Sequence, residues 1–118
     1  MSEPIPGDTL TLNEHGCLLW VIGILDAGDT RDQLYEQTAE LSVSHRRPGS
    51  TKFAVPTGQR RVDLRDGPLD VTPWAESKAE ALGHISVWIA DGLLCSIEFG
   101  WVTDDWPGFP LAHQLKVV

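Results

Sequence analysis

Neither a cysteine framework, nor a phosphate-binding glycine loop, nor an apolar run of membrane length occurs in these 118 residues. Two cysteines, Cys17 and Cys95, are too few for the disulfide scaffold of a small secreted domain, and both are expected as buried thiols that pack as small hydrophobes. The longest apolar run, Cys17 to Leu25, is nine residues, where a membrane helix needs about 20. No Lys or Arg precedes Arg31 to open a signal peptide, so a cytoplasmic chain without a targeting segment is expected. No G-x-G-x-x-G, Walker or G-x-S-x-G pattern is found, and no catalytic residue is assigned. Cations are scarce as well: nine Lys and Arg stand against 17 acids, a formal charge of -8 that disfavours nucleic acid and anionic membranes as partners.

What is present is an ordinary globular composition, with 42% hydrophobic and 22% charged residues, and enough chain for one core spanning residues 1–118. Residues 1–10 (MSEPIPGDTL), with two prolines and a glycine, are expected as a partly ordered arm. Thr11 and Glu14 then form a capping-box pair that opens a helix to about Leu25, with Leu18, Leu19, Ile22 and Leu25 on one face. A buried strand is the competing reading, because CLLWVIGIL is apolar on every side. After DAGD (26–29), Thr30 is expected to cap a second helix to about Ala39, with Gln33 in the box position.

Beyond residue 40 the period becomes two. Leu41, Val43 and His45 alternate with Ser42, Ser44 and Arg46, PGS (48–50) breaks the chain, and Lys52 to Val55 extends again, which reads as a hairpin. Prolines and glycines between 56 and 73 leave room for short strands at Arg61–Leu64 and Leu69–Val71. Residues 74–83 (WAESKAEALG) fit a short helix or a polar connection. HISVWIA and LLCSIEFGWVT flank Asp91-Gly92, the preferred pair for a type I′ turn. A regular ladder would set Trp88, Ser86 and His84 against Cys95, Ile97 and Phe99, and Ile89, Val87 and Ile85 against Leu94, Ser96 and Glu98. The expected fold is α+β: two N-terminal helices on a mainly antiparallel sheet of four to five strands, the final hairpin central and partly covered on its second face.

Three segments carry a resemblance: LTLNEHGCLLWVIGIL (10–25), RDQLYEQTAELSV (31–43) and ISVWIADGLLCSIEFGWVTDDWPGFP (85–110). Their order, and above all the strand, Asp-Gly, strand unit followed by Glu98 and Thr103-Asp104, resembles a group of small actinobacterial proteins with no established activity. The resemblance implies a fold and no function. It departs at RRPGSTKFAV (46–55), where relatives carry a Cys-Gly-Cys-like strand entry, so no metal role is implied there.

Candidate site residues follow from charge and aromatics. Six of the nine cations fall between Arg46 and Arg65 with only Asp63 opposing them, a net +5, which leaves -13 on the rest of the chain. Arg46, Arg47, Arg60 and Arg61 are candidates for an anionic ligand or an acidic partner, or pair internally with Glu98 and the acidic helices. Glu98 stands in an apolar strand, where a covered carboxylate is either paired or shifted in pKa. Trp101 is expected in register with its strand, and Trp106, beside Asp104-Asp105 and before Pro107, as an exposed docking anchor for a basic or Pro-containing partner, with core or lid packing of these tryptophans as the alternative. The histidines do not group with the cysteines: His15 and Cys17 are two apart on a helix, and His84 lies two cross-strand pairs from Cys95. No metal or cofactor is expected. The expected partner is another protein, with a homo-oligomer left open. The functional expectation is an acidic interaction module of inhibitor or immunity type, with a small enzyme or ligand-binding domain using Glu98 and the basic cluster as the alternative.

Overall fold

The computed structural model describes residues 9–56 and 58–117. The arm expected over 1–10 therefore lies, through residue 8, outside the described residues. Helix α1 (Leu12–Gly23) starts on a complete capping box: Glu14 N donates to Thr11 Oγ1 at 3.1 Å and Thr11 N donates to Glu14 Oε1 at 2.8 Å. It ends two residues before Leu25, and its buried face is Glu14, Cys17, Leu18, Val21 and Ile22, while Leu19 and Leu25 are only half-buried. Helix α2 (Asp29–Thr38) begins earlier than expected. Its cap is Gly28, not Thr30, because Asp32 N already donates to Gly28 O at 3.1 Å and the acids Asp29 and Asp32 favour the positive end of the helix dipole.

Seven strands follow: β1 (Ser42–Arg47), β2 (Ser50–Ala54), β3 (Gly67–Pro68), β4 (Trp74–Ser77), β5 (Glu80–Ala90), β6 (Leu93–Trp101) and β7 (Leu115–Lys116). They form one antiparallel sheet in the order β1-β2-β6-β5-β4-β7, with β3 pairing on β5. The α+β expectation holds, and the sheet exceeds the expected four to five strands. Residues 74–83 are neither helix nor loop. They are β4, a tight turn and the start of β5, with Lys78 and Ala79 at φ 53° and 64°. The expected strands at 61–64 and 69–71 do not form: single bonds, Val62 N to Gly92 O (2.9 Å) and Leu69 N to Val87 O (2.8 Å), tie that stretch down, and only Gly67–Pro68 pairs as strand.

The β5–β6 hairpin is central, as expected, but its register is not the regular one. Ile89 pairs with Leu94 and Trp88 with Ser96, so Cys95 is an unpaired bulge residue and every pair beyond it moves by one. Val87 now faces Ile97 and Ile85 faces Phe99, uniting the apolar residues on one face beneath the helices. Ser86 faces Glu98 and His84 faces Gly100 on the other, with Trp88 37% exposed. On this face Ser96 is buried and Ser86 and Glu98 are half-buried, while His84 and Trp88 are exposed. Cys17 is fully buried, whereas Cys95 is half-exposed at the bulge.

Asp91 and Gly92 close the turn at φ 54° and 75°. A Cβ at Gly92 would stand 2.7 Å from Arg61 Cβ and 2.8 Å from Val62 O. Gly92→Val is expected to lower stability by about 1–3 kcal/mol through left-handed strain, with the backbone clash pushing toward the upper value. A denaturant midpoint equal to the parent's would contradict the type I′ assignment. The same turn anchors α2: the buried Gln37 accepts from Leu94 N (2.8 Å) through Oε1 and donates through Nε2 to Gly92 O (3.0 Å) and Arg60 O (2.9 Å).

Candidate functional site

The capping carboxylate of α1 is also the most deeply buried acid described, only 2% exposed. It survives burial because each oxygen has two donors. Oε1 accepts from Thr11 N (2.8 Å) and Arg46 Nη2 (2.7 Å), and Oε2 accepts from Arg46 Nε (2.9 Å) and Thr51 Oγ1 (2.5 Å). Burial pushes the Glu14 carboxyl up, and the bonds to Arg46, Thr51 and Thr11 outweigh it, so its pKa lies below the ordinary value. One turn on, Cys17 Sγ donates to Pro110 O at 3.2 Å. Burial and the Glu14 charge push this thiol up to about 12, so it carries no thiolate for nucleophilic work near neutral pH.

Over the Glu14–Arg46 pair lies a cavity of about 640 Å³ walled by Leu12, Pro48, Trp106 and Phe109, with Asn13 and Arg47 as polar lining. Leu12, the first residue of α1, is 90% exposed. The aromatic wall is held from behind. Trp106 sits 4.9 Å from Trp101, 5.7 Å from Phe99 and 5.7 Å from Phe109 by ring centroids, in tilted and edge-on contacts. Asn13 Nδ2 donates to Phe109 O at 3.0 Å and fastens the loop to α1.

The sequence-selected residues divide among several places. Arg46, Arg47 and Trp106 meet at this cavity, and Asp104 and Asp105 lie exposed just before Trp106, Thr103 Oγ1 donating to Asp105 O at 2.8 Å. Trp106 is half-buried among aromatics, not a free-standing anchor. Glu98 lies on the opposite face of the sheet, half-buried, its Oε2 accepting from Ser50 Oγ at 2.8 Å. Arg60 pairs with Glu36 of α2 (2.8 Å) and Arg61 with Asp91 (2.6 Å), both at the surface, where such pairs contribute little. The basic stretch thus does not form one patch, and Glu98 and its arginines do not converge on a cavity.

Glu14 is the acid that sequence reasoning treated only as a cap. A signal existed: Glu14, Cys17, Leu18, Val21 and Ile22 lie three and four apart, which puts the carboxylate on the apolar face. Gln37 and Leu12 were equally unmarked. Among the described residues no three His, Cys, Asp or Glu side chains gather as metal ligands, and no helix is long and apolar enough to cross a membrane. A second cavity, of about 680 Å³, opens beside the start of α2 between Arg31, Arg65 and Asp63. No protein-family model, curated protein or solved structure matches the chain.

Proposed function

We propose that this chain is a non-enzymatic interaction module, an acidic inhibitor or immunity-type protein, that docks a basic partner through the cavity over Glu14 and Arg46. Membership of the small actinobacterial group that its hairpin unit resembles is part of this reading and adds no activity to it. The carrying observation is Leu12, a leucine 90% exposed on the rim of an aromatic-walled cavity. Apolar side chains grouped in this way beside polar neighbours are the surface signature of a docking site. The charged groups beneath are spent on structure: Glu14 holds four hydrogen bonds and the Cys17 thiol stays protonated, which fits recognition better than proton or acyl transfer.

Charge sets the partner and its orientation. The -13 carried outside residues 46–65 steers a cationic protein. Exposed Asp104 and Asp105 receive its basic residues at the Trp106 end, while Arg47, which no acid pairs among the described residues, disfavours them at the other. Between the two, Trp106 and Phe109 offer rings for a proline or aliphatic side chain of an extended segment.

The test is capture from source cells on immobilised wild type, Leu12→Asp and Trp88→Ala, followed by kinetics with the purified partner. Leu12→Asp is expected to weaken binding about tenfold or more at unchanged thermal midpoint, and Trp88→Ala, on the other sheet face, to bind as wild type. Association is expected to slow as salt rises through about 0.15 M. Equal binding by Leu12→Asp would remove the cavity from the interface, and salt-indifferent association would remove the steering.

A further inference from the structure

The cavity over Glu14 and Arg46 is short of free acceptors. Both carboxylate oxygens of Glu14 already take two donors each, Thr11 Oγ1 takes Glu14 N, and Phe109 O takes Asn13 Nδ2. Asn13 Oδ1 remains for one N–H. Donors, by contrast, are unspent. The Trp106 indole N–H has no acceptor among the described residues and is not sealed from solvent. The exposed Arg47 guanidinium, on the same lining, is likewise paired with no described acid.

A segment that fits this imbalance brings carbonyls and few N–H groups. A β-strand or an irregular peptide carries one N–H per residue, and burying each without an acceptor costs free energy. An α-helix spends its carbonyls internally and frees them only in its last turn. Proline has no N–H, and a polyproline II helix holds every carbonyl outside any internal hydrogen bond. The walls suit its rings as well: Pro48, Trp106 and Phe109 present flat apolar faces, with Leu12 exposed at the rim. Trp101 and Phe99 brace Trp106 from behind, so the wall is in place before a segment arrives. Charge adds one more requirement. Asp104 and Asp105 stand exposed beside Trp106, while Arg47 lines the cavity from the β1–β2 turn, so a cation belongs at the Trp106 end.

We infer that the partner's segment is a proline-rich stretch in polyproline II conformation, with a Lys or Arg beside Asp104 and Asp105 and a carbonyl accepting from Trp106 Nε1; this rests on the docking surface proposed above. The preformed helix loses little conformational freedom on binding, which suits a small contact area.

The experiment is an NMR titration of the ¹⁵N-labelled full chain, following the indole N–H resonances of its five tryptophans. The probes are the end-capped peptide Lys-Ala-Pro-Pro-Ala-Pro-Pro, its version with Glu for Lys, and its version with alanine for every proline. The first is expected to shift the Trp106 indole N–H saturably, with a Kd of about 1 mM or tighter, and to leave that of Trp88 in place. The Glu and alanine versions are expected to bind about tenfold more weakly. Trp106→Phe, which keeps a ring and loses the N–H, is expected to weaken binding about fivefold. Leu12→Asp serves if Trp106→Phe does not fold, and is expected to weaken it about tenfold. Asp104→Asn with Asp105→Asn is expected to bring the Lys and Glu versions to equal affinity. Absence of a saturable shift at about 10 mM, equal binding of the alanine version, or unchanged binding by the variants would overturn the inference. So would the same shifts on raising the concentration of the chain alone, which assign the surface to a second copy. Peptides that fail while Leu12→Asp still loses the captured partner overturn the proline-rich segment and leave the docking surface standing. Capture by Leu12→Asp equal to wild type removes the surface and the segment together.

Discussion

Arg46→Ala is expected to lower the stability of the domain by about 3–5 kcal/mol, the usual cost of removing one partner of a buried ion pair. The loss arises on the side left behind. Glu14 is 2% exposed and would keep only Thr11 N and Thr51 Oγ1, while Arg46, at 29%, is itself more than two-thirds shielded. Urea unfolding measures the effect, and a loss below about 1 kcal/mol would show the pair to be an ordinary surface bridge. Replacing both, as Glu14→Gln with Arg46→Met, is expected to recover part of the loss, because no unpaired charge then remains inside. The pH dependence has a defined sign. Because the folded-state pKa of Glu14 lies below its ordinary value of 4.5, the contribution is full above that value and disappears as pH falls through the lower folded pKa. The wild type is therefore expected to lose more stability than the double variant on acidification below about pH 4.5, and parallel curves would contradict this.

Trp101→Ala is expected to cost about 3 kcal/mol or more, and Trp106→Ala a loss of similar size. Trp101 closes over Gly49, where an added Cβ would stand 2.6 Å from its Cζ3, and meets Trp106 edge-on at 4.9 Å. As the exposed anchor expected from sequence, Trp106 would leave the unfolding midpoint nearly unchanged on truncation. Its contacts to Phe99 and Phe109 reverse that expectation and make Leu12 the cleaner probe of docking. A double-mutant cycle should show a coupling of about 0.5–1.5 kcal/mol between the two indoles. Strict additivity would mean that the rings act separately.

Features written in single residues were legible in advance. Thr11 with Glu14 announces a helix start, and Asp91-Gly92 announces a type I′ turn, because in both cases local chemistry has one good solution. Features that depend on counting along a strand were not. One extra residue at Cys95 turned the regular ladder into the observed one and carried Glu98 to the far face. The turn at Lys78-Ala79 stayed hidden because neither residue advertises a positive φ, and WAESKAEALG has the composition of a helix. The basic stretch misled for a tertiary reason. Its arginines are neighbours in sequence, yet Arg46 reaches α1, Arg60 reaches α2 and Arg61 reaches the hairpin turn.

The ends of the sheet bear on how this chain behaves when crowded with copies of itself. An open antiparallel sheet can recruit further strands at either border and grow into fibrils. Here one border is β7, only two residues long. The other is β1, broken by an irregular pairing between Val43 and His45 and ending on Arg46 and Arg47, with Pro48 just beyond. A strand arriving there meets an interrupted row of backbone donors. Growth by strand addition is thus opposed by length at β7 and by shape at β1.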